Sequence, residues 1–221
     1  NVDISSSNAL NPAFAKAGDI ITIHFDLVDV QQEPYVVVQN SSVPVQKMEG
    51  NRYRAIYQVS SVDQDGAVKF LIRAGDEEVN TAQNMRVIMI DNTLPTLENV
   101  AMETMDGHRF VQAGDRIILK FTASERLYES MPVTVFDDTL SSIQRRGNEF
   151  SAVYELGEED EGEIPFAIHY SDLAGNVGEA ATAIAQGMPI IYKPKLPSYG
   201  TLQPIGPFTY GDDITFTWQP S

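Results

Sequence analysis

Apolar and polar residues alternate through most of the chain. Ile21, Ile23, Phe25 and Leu27 alternate with Thr22, His24 and Asp26, and a later stretch alternates Ile117, Leu119, Phe121 and Ala123 with Ile118, Lys120 and Thr122. Near the end Ile214, Phe216 and Trp218 alternate with Thr215 and Thr217. A period of two is that of a strand with one face on a core and the other in water. Tyr53, Ala55, Tyr57 and Val59 continue the pattern, as do Val68, Phe70 and Ile72. Turn formers such as Asp65-Gly66, Arg146-Gly147-Asn148 and Asp172-Leu-Ala-Gly175-Asn176 punctuate the runs. No window shows helical spacing with caps, and Glu158 to Glu161 reads as a polar loop. The pattern predicts an all-β chain.

The strands recur in blocks. Phe14-Ala-Lys-Ala-Gly18-Asp19 followed by an alternating run reappears at Phe110-Val-Gln-Ala-Gly114-Asp115 and begins again at Phe208-Thr-Tyr-Gly211-Asp212, the glycines being 96 and 97 residues apart. Gly50-Asn51-Arg-Tyr53 answers Gly147-Asn148-Glu-Phe150, and Gly66-Ala-Val68-Lys-Phe70 answers Gly162-Glu-Ile164-Pro-Phe166. In each Gly-Asp the glycine supplies a turn and the aspartate bonds nearby backbone amides. Short strands of this spacing in a repeating unit of this size predict seven-stranded sandwiches, two complete and a third begun. Phe25, Phe121 and Trp218 anchor the cores. The expected organisation is residues 1–92 as repeat 1, 93–187 as repeat 2, 188–207 as a proline-rich linker, and 208–221 as the first strand of a truncated third repeat. The short Asp91-Asn-Thr-Leu-Pro95 junction predicts an extended, semi-rigid tandem.

Charge and cysteine content narrow the function. Of 221 residues, 15 are Lys or Arg and 31 Asp or Glu, a net charge of -16. Phosphate binding needs clustered cations, and the densest cluster is Arg145-Arg146 at a predicted turn. Nucleic acid and anionic membranes are therefore poor partners, while the charge favours solubility. With no cysteine there is no disulfide framework, thiolate metal site or cysteine nucleophile. No apolar run approaches the ~18 residues of a membrane-spanning helix. The chain starts at Asn1 without a leader, as a mature product or an excerpt of a longer protein would.

Ala113-Gly-Asp-Arg-Ile-Ile-Leu-Lys-Phe-Thr-Ala-Ser-Glu125, Gly147-Asn-Glu-Phe150 and Tyr170-Ser-Asp-Leu-Ala-Gly-Asn176 together resemble the tandem bacterial Ig-like repeats of secreted and cell-surface proteins. The Asp91–Pro95 junction is similar to the Asp-x-Thr-x-Pro start of such repeats, and Asp213-Ile-Thr-Phe-Thr-Trp218 resembles the second strand of a fibronectin type III domain. The first repeat departs from the pattern at Ala74-Gly-Asp-Glu-Glu-Val79, where the Asp-x-Ala-Gly-Asn turn is lost, so a feature resting on that turn belongs to one repeat only. The resemblance implies spacers, stalks or accessory modules and no chemistry.

Candidate chemistry is sparse. His24 and His169 fall at outward or edge strand positions and His108 in a turn, and each reads as a solvated surface histidine. No Gly-x-Ser-x-Gly, His-Glu-x-x-His or phosphate-binding loop occurs. Asp137-Asp138, Asp76-Glu77-Glu78 and Glu158 to Glu161 read as solvated loops. Asp63-Gln-Asp65-Gly66 resembles the opening of a calcium loop without its closing glutamate, and calcium at Asp91-Asn92 is a lesser reading that would stiffen a stalk. Asn40-Ser-Ser42 is a glycosylation triplet, normally silent in a bacterial protein. Tyr192, Tyr199 and Tyr210 lie in or beside the proline-rich stretch, where they could form a sugar-contacting strip, though packing against a neighbouring sandwich is the favoured reading.

No catalytic, cofactor-binding or metal residue is assigned. The expected function is a non-enzymatic extracellular structural or adhesive module of a bacterial surface or secreted protein. Its partners would be the flanking domains of the same polypeptide and a possible surface-protein or glycan ligand. The alternative is an accessory glycan-binding module of a secreted polysaccharide-active enzyme.

Overall fold

The computed structural model describes residues 1–28, 32–80 and 86–194. All of the regular structure there is strand. The first half contributes β1 (Val2–Ser6), β2 (Phe14–Ala15), β3 (Ile20–Asp26), β4 (Tyr35–Val38), β5 (Ser41–Val43), β6 (Val45–Lys47), β7 (Arg52–Gln58), β8 (Gly66–Ala67), β9 (Phe70–Ala74), β10 (Glu77–Asn80) and β11 (Met89–Ile90). The second contributes β12 (Leu97–Thr104), β13 (Phe110–Val111), β14 (Arg116–Ala123), β15 (Val133–Val135), β16 (Asp138–Thr139), β17 (Gln144–Arg146), β18 (Glu149–Glu155), β19 (Gly162–Glu163), β20 (Phe166–Ile168) and β21 (Ile191–Tyr192).

The two halves are wired alike. One layer of the first is the antiparallel sheet β1-β3-β7-β6, matched in the second by β12-β14-β18-β17. Facing it are β10-β9-β4-β5 and β2-β11-β8, matched by β16-β15-β20 and β13-β21-β19. In each half the last strand runs parallel to the short strand before the Gly-Asp turn, β11 to β2 and β21 to β13. This is a pair of immunoglobulin-like or fibronectin III-like sandwiches.

Each sandwich encloses its own core. Ile4, Ile21, Ile23, Phe25, Val36, Phe70 and Ile90 are among the buried residues of the first, and Val100, Ile117, Leu119, Phe121, Phe166 and Tyr192 among those of the second. The alternation is realised to the residue: β7 and β18 share one pattern of buried and exposed positions. Phe25 stacks on Tyr53 at 5.6 Å between ring centroids and Phe121 on Phe150 at 5.0 Å. Burying one such ring contributes about 2 kcal/mol.

The repeated Gly-Asp turn does what its residue types require. Gly18 and Gly114 adopt φ of 94° and 89°, a region open to glycine, and donate to Val59 and Leu156 carbonyls. Asp19 accepts from the Lys16 amide and Asp115 from the Gln112 amide, both at 2.9 Å.

One expectation is corrected. Tyr192, read as part of a proline-rich connection over 188–207, is 1% exposed and sits in the second core. Ile191 and Tyr192 pair with Phe110 and Val111 as Met89 and Ile90 pair with Phe14 and Ala15. The last strand thus arrives 102 residues after its counterpart, later than the 96-residue period, because the segment between Asn176 and Ile191 is longer. Arg145-Arg146, placed at a turn, belongs to β17, and the turn follows at Gly147 with φ 64°. Tyr199, Tyr210 and the third repeat, with Trp218, lie outside the described residues.

Candidate functional site

The chain crosses between sandwiches through residues 91–95, and side chains hold the crossing on both sides. Asn92 is the main staple: its Oδ1 accepts from the Ala17 amide at 2.7 Å, and its Nδ2 donates to the Ser60 and Asp63 carbonyls, each at 3.1 Å. Asp65 accepts from the Asn92 amide at 2.6 Å and from the Thr93 hydroxyl. In Asp63-Gln-Asp65-Gly66, the stretch that resembles the opening of a calcium loop, both carboxylates are engaged within the protein. Asp65 ties down the linker, while Asp63 accepts from the Tyr57 hydroxyl at 2.7 Å and the Ser60 amide at 2.8 Å. Burial and the Asp63 carboxylate push the Tyr57 hydroxyl up to about 12, so it stays a donor at neutral pH.

From the second sandwich the turn Asp172-Leu-Ala-Gly-Asn176 reaches back to the first. Asp172 is fully buried and its Oδ1 accepts from the amides of Ala174 and Asn176, both at 2.8 Å. That shapes the turn so that the Ala174 carbonyl receives Asn8 Nδ2 at 2.9 Å and the Gly175 carbonyl receives Lys16 Nζ. Asn176 Nδ2 in turn donates to the Asp91 carbonyl at 2.9 Å and to Asp172 Oδ2 at 2.7 Å. Asn8 and Asn176 are 6% and 8% exposed, so these bonds are made out of water, where leaving a partner unmet is costly. The first repeat lacks this turn.

Three carboxylates meet at the same place. Asp91, Glu125 and Asp172 each bring an oxygen to within 4.8 Å of the others. Oxygens coordinated at about 2.4 Å around one calcium ion span at most about twice that distance, so these residues could hold a hard cation. Burial first, then the charges of Asp91, Asp172 and Asp65, push the Glu125 carboxyl up to about 7 from an ordinary 4.5. Asp91 is also raised, by burial and by Asp172 and Asp65, against the lowering effect of the Thr93 amide. As a cation site the sequence pointed to Asp91-Asn92 but assigned no such role to Glu125 or Asp172. The available signal was the Asp-x-Ala-Gly-Asn turn, present in one repeat and absent from the other.

The other candidates scatter. His24 is on the outward face of β3, His108 in an exposed turn with Nδ1 2.8 Å from Asp106, and His169 exposed after β20. Asp138 accepts from the Tyr154 hydroxyl at 2.6 Å, and Glu161 pairs with Lys193. Asp76 sits in the exposed turn between β9 and β10. With Tyr192 buried, the proposed sugar-contacting strip loses one of its three residues.

No protein-family model matches the sequence, and no curated protein does. Among solved structures the chain is similar in fold to the fibronectin(III)-like modules of Clostridium thermocellum CbhA, at 11% identity over 87% of this chain and 94% of that one, with a TM-score of 0.39. It is similar to the I67–I69 I-band fragment of titin at 12% identity and a TM-score of 0.48, covering 86% of this chain and 65% of that one. Yersinia pseudotuberculosis InvD is similar at 14% identity and a TM-score of 0.40, covering 91% and 59%.

Proposed function

We propose that this chain is a structural section, a spacer or stalk segment, of a larger extracellular protein on a bacterial surface or in its secretions. It is non-enzymatic and has flanking domains of the same polypeptide as its immediate partners. The observation that carries the reading is the junction. Two sandwiches with separate cores are joined by a linker stapled through Asn92 and Asp65 and clamped through Asn8 and the Asp172–Asn176 turn. A spacer must transmit position, which needs self-contained units and a junction that resists bending. The acidic surface keeps such sections soluble and apart.

Stretching the full chain by its ends tests this. Two separate unfolding steps are expected, each lengthening the chain by about 300 Å, the extended reach of one sandwich's residues. A single step near twice that length would mean one shared core and would end the reading.

A further inference from the structure

A trough of about 550 Å3 lies on the outward face of the second sandwich's sheet β12-β14-β18-β17. Its floor is made of the short side chains Ala101, Thr122 and Ser151, and long residues including Lys120, Gln144 and Arg146 stand around it. One end is closed by Asn99, which sits in a bulge of β12 with φ 55° and accepts from Gln186 Nε2 at 2.7 Å.

The first sandwich supplies an internal comparison. One cross-strand row of the second reads Ala101, Lys120, Ser151, Gln144, and the matching row of the first reads Asp3, His24, Arg54, Gln46. There Arg54 lies over the face: its Nη2 donates to Gln46 Oε1 at 2.6 Å and its Nε is buried. Beside it Arg52 pairs with Asp26 at 3.7 Å. The same fold thus carries either a filled or an open face, so the opening at Ser151 is not demanded by packing. The stacking of Lys47 on Tyr53 and of Arg145 on Phe150, at 5.9 and 5.5 Å, is common to both and reads as structural. What the second sandwich adds is open space with Lys120 and Arg146 beside it.

The lining selects the ligand. Three of the chain's 15 cations, Lys120, Arg145 and Arg146, gather here in a protein of net charge -16, although Arg145 is already spent on the Phe150 ring and the Gly147 carbonyl. At physiological salt screening acts over about 8 Å, so for a bound anion the local balance counts, three cations against the carboxylates of Glu103 and Glu149, and it is positive. Lys120 is engaged by Glu103 at 2.6 Å, whereas Arg146, opposite Glu149 across the β17–β18 ladder, makes no ion pair with another described residue. A guanidinium fork matches a carboxylate. Asn99, Gln144 and Gln186, with Glu103 and Glu149, offer the donors and acceptors that hydroxyl groups need. The backbone groups of a sheet face are spent on the ladder, so an extended peptide gains no main-chain pairing there.

We propose that this trough binds an acidic oligosaccharide, one whose sugar units carry carboxylates beside their hydroxyls. The inference is independent of the spacer role.

The test is calorimetric titration of the full chain with an oligogalacturonate, in EDTA so that no calcium bridges ligand and protein. Saturable binding is expected. It should weaken at least 10-fold in Ser151→Arg, which fills the trough as Arg54 does in the first sandwich, and in Arg146→Ala, with melting temperatures unchanged. Should Ser151→Arg fail to fold, the Arg146→Ala arm decides. No saturable binding, or binding that survives Arg146→Ala, overturns the proposal. So does equal binding of a neutral oligosaccharide, or of an oligoglutamate peptide, which would make the trough an acidic-peptide site.

Discussion

Replacing Glu125 by Gln removes one charge from the carboxylates that meet at the junction while keeping the shape of the side chain. Asp65, Asp91 and Asp172 face Glu125, and the cation bonded across the same junction, Lys16, is held by the Gly175 carbonyl. Burial first, and then these charges, make the folded protein hold a proton on Glu125 more tightly than the unfolded chain does. Below the ordinary value of 4.5 the group is neutral in both states, and its neutrality carries no penalty. As pH rises towards about 7 the folded state must give up that proton among like charges, and stability falls. Moving a carboxyl from 4.5 to about 7 corresponds to about 3 kcal/mol without screening. Glu125 is partly open to solvent, so about 1 kcal/mol is the expected loss between pH 4.5 and pH 8. In a domain of this size that is roughly 4–8 °C of melting temperature. Thermal melts in EDTA should show wild type and Glu125→Gln together near pH 4.5, with the variant higher by that amount at pH 8. Millimolar calcium should raise the wild type more than the variant. Parallel pH profiles would refute the reasoning, because the folded state would then hold the Glu125 proton no more tightly than the unfolded chain does.

Four further substitutions, one of them a control, separate packing from polar clamping. Tyr192→Ala should destabilise the second sandwich by about 3–4 kcal/mol, seen as faster hydrogen exchange in residues 97–192 with protection kept in the first sandwich; a linker tyrosine would change neither. Gly178→Ala places a Cβ 2.2 Å from the Tyr170 ring and 2.8 Å from the Pro95 carbonyl, and should cost about 1–3 kcal/mol in a denaturant melt. Gly162→Ala, with open space around it, should stay within about 0.5 kcal/mol and serves as the control. Asn176→Ala strips partners from the Asp91 carbonyl and Asp172 Oδ2, and should cost about 1–3 kcal/mol while broadening the distribution of distances between spin labels on the two sandwiches.

Alternation and duplication made the sandwiches legible, because inward positions such as Ile21, Ile23 and Phe25 must recur at every second residue whatever the rest of the protein does. Tyr192 was misread because its strand is two residues long, too short to show a period, and prolines at 189 and 194 flank it. The junction was only half legible. Asp91-Asn92 stood out as a polar break, but Glu125 and Asp172 reach it from distant parts of the sequence, and local patterning carries no information about such meetings. The trough has a different cause: Ser151 is unremarkable alone and gains meaning only against Arg54 at the matching position.

Residual dipolar couplings measured on both sandwiches in one aligned sample test the central claim most directly. If the Asn8, Asn92 and Asn176 contacts hold two self-contained units in one fixed arrangement, a single alignment tensor will fit residues 1–80 and 97–192 together. Two tensors of clearly different magnitude would show the units turning independently, and the clamped junction would have to be abandoned.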